Sequence, residues 1–156
     1  MANVTVKLTW NGELRFTAQN GKGFETALDG NTQVAPSPME LLIEALGGCT
    51  AIDVVLILQK MREPLTRLEV KLEGDRNASE PRFYTKVRAC FDVWGDGLKS
   101  DKVARAVNLS FAKYCSVYHS LRKDIQLSPE FRLHQTGAVA AGDYQRVVIE
   151  AETSAG

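Results

Sequence analysis

With 19 basic and 19 acidic residues among 156, the chain is formally neutral at pH 7 and has the composition of an ordinary globule. That balance excludes the basic footprint of a nucleic-acid-binding surface, and no low-complexity tract or internal repeat points to a disordered or solenoid protein. A chain of this length is expected to form a single α+β domain over 1–156, with neither nucleic acid nor a membrane as partner.

The opening "MANVTVKLTW" alternates apolar and polar residues, which is a strand pattern and not that of a secretory leader. Val4, Val6, Leu8 and Trp10 give the first strand. Leu14, Phe16 and Ala18 give the second, and Phe24, Ala27 and Leu28 the third. Asn11-Gly12 and Asn20-Gly21 are the dipeptides that tight hairpins prefer, so residues 1–35 read as an N-terminal β-meander. The "GKG" at Gly21–Gly23 belongs to the second turn; no helix N-terminus follows it to cradle a phosphate, and no bound cofactor is expected.

A helix then starts at Ser37, with Pro38 at its first position and Glu40 completing a capping box. The apolar positions Met39, Leu42, Ile43, Leu46, Cys49 and Leu56 recur at helical spacing to about Met61, and Pro64 ends the run. Ile52, Val54, Val55 and Ile57 make it apolar nearly all round, the pattern of a helix buried on every side. Its most apolar stretch, about 14 residues, contains Asp53 and is too short to span a bilayer.

Leu65–Leu72 and Phe83–Val93 predict two more strands, joined by "GDRNASEP". After "WGDGLKSD", Val103, Val107, Phe111, Tyr114, Val117, Tyr118 and Leu121 form the apolar stripe of a second helix. Two strands around a Gly/Ala linker complete the order βββ-α-ββ-α-β(β): two central helices against antiparallel sheets. Residues 137–156 read as a C-terminal extension.

Three cysteines without a leader argue for a reducing, cytoplasmic compartment, which makes the N-x-S/T triplets at Asn3, Asn77 and Asn108 chance matches. Cys90 lies mid-strand and reads as structural. Cys49 and Cys115 sit on the two helices, where packing and reaction are both open. Gly47-Gly48 costs a helix about 1 kcal/mol per glycine relative to alanine. The expected compensation is a close crossing of the two helices, which would bring Cys49 towards Cys115. Asp53, one turn after Cys49, is anionic and opposes a thiolate there, so activation has to come from elsewhere. Arg15, Arg62 and His119 are the candidates, although a hydrogen-bonded or exposed histidine is the simpler reading of His119.

Taken together, "APSPMELLIEALGGCTAIDVVLILQKMR" (35–62) and "VARAVNLSFAKYCSVYHSL" (103–121) resemble the two cysteine helices of the OsmC/Ohr family, the osmotically inducible and organic hydroperoxide resistance proteins. The likeness covers roughly 1–135 and is strongest to a "GGC-x-AIDVV" branch. It implies an OsmC-like fold, an intertwined homodimer and a thiol peroxidase of oxidative-stress defence. Cys49 would be peroxidatic, Cys115 the resolving cysteine, an organic hydroperoxide the substrate, and a small dithiol or lipoyl group the reductant. By the same likeness Arg15 and Glu40 stand nearest the family's activating pair. Met39 occupies the place where its peroxidases carry the glutamate, and their arginine aligns near Asn11.

Two rival readings remain. Cys49, Cys115, His119 and Asp53 could converge on a metal, although no CxxC or HxxxH spacing supports it and none is expected. Alternatively, a dimer could hold an apolar or lipid-like ligand, with the cysteines sensory or idle.

Overall fold

Three antiparallel strands begin the chain: β1 (Val6–Trp10), β2 (Arg15–Asn20) and β3 (Glu25–Asp29). They belong to a computed structural model that describes residues 3–151. Trp10 pairs with Phe16 and Gln19 with Glu25, so the connections are longer than two-residue Asn-Gly turns. The left-handed backbone falls on Gly12 (φ 96°), Glu13 (φ 50°) and Gly23 (φ 90°) instead. Asn20 serves through its side chain, whose Oδ1 accepts the Lys22 and Phe24 amides, each at 3.0 Å. Asp29 closes this unit in the same way. Its buried carboxylate accepts the backbone N–H groups of Asn31, Gln33 and Val34, and these hold its pKa below the usual range. Val6, Leu8 and Trp10 remain 52%, 53% and 66% exposed, an apolar face that the chain leaves uncovered.

The chain divides into two units, one ending at Glu44 and one beginning at Ala45. Helix α1 (Pro38–Lys60) starts in the first and continues through the second. Its capping box is formed: Glu40 Oε2 accepts from the Ser37 N–H at 2.8 Å and from Ser37 Oγ at 2.9 Å. Its 23 residues match the expected span, and the helix, with an 18-residue window of mean hydropathy 2.1, is long and apolar enough to cross a membrane by length and composition. A core helix meets the same measure. Burial on every side does not occur: Leu46, Gly47, Thr50, Val54 and Leu58 are buried along one stripe, while Ile52 and Leu56 are 62% and 59% exposed.

In the second unit, β4 (Arg67–Arg76), β5 (Tyr84–Trp94), β6 (Gln126–His134) and the short β7 (Gln145–Arg146) form a four-stranded sheet in that order. The sheet is mixed and not wholly antiparallel, because β6 runs parallel to β5 with Phe91 opposite Phe131. The cause is the helical crossover between them, which carries the chain back along the sheet before it re-enters. The crossover itself is broken into three pieces where one helix was expected. These are α2 (Ser100–Leu109), a π-helical turn at Ser110–Tyr114, and α3 (Ser116–Ser120), with Cys115 extended between the last two at ψ 99°.

Phe91, Phe111 and Phe131, with Val87, Val93, Val103 and Val107, form the core where the sheet meets the crossover, all at most 2% exposed. Each such side chain contributes on the order of 1.5–3 kcal/mol by leaving water. The glycine pair resolves differently from the expected helix crossing. A methyl added at Gly47 would meet the Leu72 side chain of β4, whereas one added at Gly48 would meet nothing within 4 Å. Gly47 therefore admits a strand side chain, and Gly48 faces open space.

Candidate functional site

Helical spacing puts Asp53 one turn after Cys49 on the same face of α1. The opposing element is the π-helical turn. Its wider winding lets the Cys115 N–H reach the Ser110 carbonyl five residues back at 2.7 Å, and it ends with Cys115 turned inwards. The result is one cluster: Cys49 Sγ, Cys115 Sγ and an Asp53 carboxylate oxygen all lie within 4.8 Å of one another. Cys115 is fully buried and Cys49 partly exposed, and all three cysteines are free thiols.

Two hydrogen-bond relays hold the cluster. Ser110 Oγ donates to Asp53 Oδ2 at 2.9 Å, and Ser110 in turn shares a 2.8 Å hydrogen bond with Thr50. Thr50 and Ser110 are both fully buried, so the carboxylate is fixed from the protein interior. On the other side, the Tyr118 N–H donates to Cys115 Sγ at 3.4 Å. Burial pushes the Cys115 thiol up to about 11; the Tyr118 N–H opposes this, while Cys49 and Asp53 reinforce it. At neutral pH Cys115 is a thiol.

Asp53 also lines the wall of a cleft of about 510 Å³, bordered by Leu56, Ile57, Met61, Leu109 and Tyr114 and by the cationic Lys60, Arg105 and Lys113. Through Asp53 the cluster is linked to a hollow of the size small organic ligands use, with an apolar wall and a cationic border.

Arg15 pairs with Glu13 at 3.3 Å and stands 3.8 Å from Asp29, and Glu40 is engaged in the helix cap. His119 stacks edge-on against Tyr118 with centroids 5.4 Å apart and is exposed. Arg62 caps the end of α1 with φ 58°. Cys90 belongs to another network, 3.5 Å from Glu130 Oε1, and burial raises its thiol to about 11. Sequence reasoning named Asp53 only as an obstacle or a distant metal ligand. It missed Thr50 and Ser110, whose short hydroxyls carry no motif; the one available signal was the i, i+4 pairing of Cys49 with Asp53.

A family model described as OsmC-like protein matches residues 29–130, which include both helix cysteines. The chain belongs to the OsmC-like family. A curated member, Protein YhfA of Escherichia coli K12, is 42% identical over 128 residues, covering 81% of this chain and 96% of its own. Among solved OsmC-like folds, a protein of Aquifex aeolicus VF5 described as hypothetical superposes with a TM-score of 0.78. It is 27% identical, and the match covers 86% of this chain and 98% of that one. The organic hydroperoxide resistance protein OhrB of Bacillus subtilis shares the fold, with a TM-score of 0.55 and 15% identity over 82% of this chain and 98% of its own. The α+β architecture read from the residues is thus that of the family, whose members include hydroperoxide resistance proteins.

Proposed function

We propose that this OsmC-like protein is a dithiol peroxidase that reduces organic hydroperoxides. The observation that carries the reading is the facing pair Cys49–Cys115, with sulfurs within 4.8 Å, one partly exposed and one buried. The Cys49 thiolate attacks the terminal oxygen of ROOH, the O–O bond breaks, and the alkoxide takes a proton to leave as ROH. Cys49 is then a sulfenic acid. The Cys115 sulfur displaces its hydroxyl, water departs, and a Cys49–Cys115 disulfide forms by side-chain rotation. An external dithiol, which the family likeness makes lipoyl-like, returns both thiols in two exchange steps.

The apolar wall of the cleft suits the alkyl part of such a peroxide, and the buried, neutral Cys115 suits a thiol that waits for sulfenic acid and does not compete for peroxide. Arg15 and Glu40 enter only as the family's nearest counterparts of an activating pair, with cytoplasmic location following from the need for a reductant. A homodimer is part of the same proposal. It would cover the apolar residues Val6, Leu8 and Trp10 on one unit and Ile52 and Leu56 on the other.

The test is thiol counting and peptide mapping after one equivalent of cumene hydroperoxide. The expected result is two thiols lost per chain, a Cys49–Cys115 disulfide and Cys90 reduced. Folded protein that keeps all three thiols would overturn the peroxidase and favour ligand binding. Sedimentation at micromolar concentration is expected to show a dimer, and a folded monomer would refute that part.

A further inference from the structure

We propose that the reduced cluster Cys49–Asp53–Cys115 is a binding site for a thiophilic divalent cation, with Zn²⁺ as the probe and a water in the fourth position. The sequence offers no metal motif, because the three ligands come from two helical elements that only the fold brings together. Two thiols and a carboxylate are ligand types that Zn²⁺ takes, and three protein ligands leave one site open. With Zn–S bonds of about 2.3 Å, tetrahedral geometry places sulfur ligands about 3.8 Å apart. The three donor atoms already lie within 4.8 Å of one another, so closure asks for a shift of about an ångström in side chains alone.

The surroundings are what such a site requires. Metal-bound carboxylates are themselves hydrogen-bonded, which orients them. Here Ser110 holds Asp53 Oδ2 at 2.9 Å and leaves Oδ1 to coordinate, and Thr50 holds Ser110 at 2.8 Å. Both hydroxyls are fully buried, so this aim is built into the core. The Tyr118 N–H on Cys115 Sγ plays the equivalent part for a thiolate. Two thiolates and a carboxylate exceed the charge of one Zn²⁺ by one, and Lys60, Arg105 and Lys113 border the cleft that Asp53 lines. His119 lies outside this donor set. Coordination replaces the two thiol protons, which pass to solvent, and no oxidation state changes. A metal-bound pair cannot condense to a disulfide, so occupancy would hold the dithiol out of reach of peroxide.

The site does not depend on the peroxidase reading and is tested without it. Reduced, chelator-treated full-length protein is titrated with Zn²⁺ and with Co²⁺. Expected are one equivalent per chain, thiolate-to-cobalt absorption in the near ultraviolet, and zinc X-ray absorption showing two sulfur and two lighter ligands. Ser110→Ala is expected to weaken Zn²⁺ binding by about 10–100-fold, the range typical of groups that position ligands, and the nearly isosteric Asp53→Asn, which alters a ligand itself, by at least as much. Cys90→Ser is expected to bind as the parent does. Substoichiometric uptake, a four-sulfur shell from two chains, or wild-type affinity in both Asp53→Asn and Ser110→Ala would overturn the site. Intact zinc binding without hydroperoxide turnover would leave the site standing and remove only the peroxidase.

Discussion

Two regions of the second unit carry buried thiols, and they differ in what surrounds the sulfur. Cys90 lies on β5, where every polar neighbour is already engaged. Glu130 pairs with Arg88, which also reaches Glu73 at 3.0 Å. On the same face Asp92 accepts from Arg132, from His134 Nε2 at 2.7 Å and from the Tyr144 hydroxyl at 2.8 Å. Tyr144 lies beneath both arginines, 5.6 and 4.3 Å from their guanidinium carbons. Burial and the Asp92 bond raise its hydroxyl to about 12. The network pins residues 144–147 to the sheet, and its members Arg88 and Glu130 also border a cleft of about 580 Å³. Around Cys49 and Cys115 the polar groups are fewer: the Tyr118 N–H donates to Cys115, Ser110 and Thr50 hold Asp53, and Asp53 lines a cleft. Burial therefore does not separate a structural thiol from a reactive one. The presence of a second sulfur in reach does.

The strongest way to break this comparison is to exchange the cysteines. Cys49→Ser is expected to lower hydroperoxide consumption more than 100-fold, about 2.7 kcal/mol in transition-state terms, whereas Cys90→Ser stays within about twofold. Peroxide assays on folded variants decide it, and a large loss in Cys90→Ser would reverse the assignment.

Asp92→Ala probes the sheet region as structure. It strands Arg132 and His134 without their shared acceptor and is expected to cost about 3–5 kcal/mol in urea unfolding. Turnover per folded molecule should not change; a change there would make the network part of the site.

The two glycines beside Cys49 sharpen the helix side. Gly47→Val drives a side chain into Leu72 and is expected to destabilise by about 1–3 kcal/mol. Gly48→Ala has space around it and is expected to gain up to about 1 kcal/mol from helix propensity. Calorimetry measures both, and a loss at Gly48 would place a second subunit against that face.

A separate effect is expected in alkali. The folded Cys115 thiol titrates near 11 and an unfolded one at about 8.5, so between those values the folded state holds the extra proton. Its contribution to stability is complete below about pH 8.5 and is lost as pH rises through 11. Wild type should therefore lose more stability over that window than Cys115→Ser, as read from urea midpoints. Parallel curves would mean that burial does not hold the proton.

Much of the fold was legible because it rests on local chemistry. Alternation marked β4 and β5 to within a few residues, Ser37-Pro38 and Glu40 marked the start of α1, and Pro64 followed its end. The hairpins were found although their turns were misassigned, since alternation fixes which residues are strands while loop length depends on where positive φ is tolerated. The parallel β5–β6 pair was not foreseen, although a helix between two strands is the usual sign of a crossover. The break at Cys115 was also missed, because a π-helical turn has the same apolar stripe as an α-helix.

The residues by themselves determined most of the strand and helix segments, that Cys49 rides on a helix, and that Asp53 shares that helix face, since each depends on neighbours within a few positions. Only the tertiary structure decided that Leu72, and not a second helix, fills the notch at Gly47. It also decided that Ser110 and Thr50 aim the Asp53 carboxylate, and that Cys115 meets Cys49 while Cys90 meets Glu130. Those pairings join residues 25 to 66 positions apart in the chain. Sequence periodicity reports which face of an element is apolar, and it carries no information about which face of another element will lie against it.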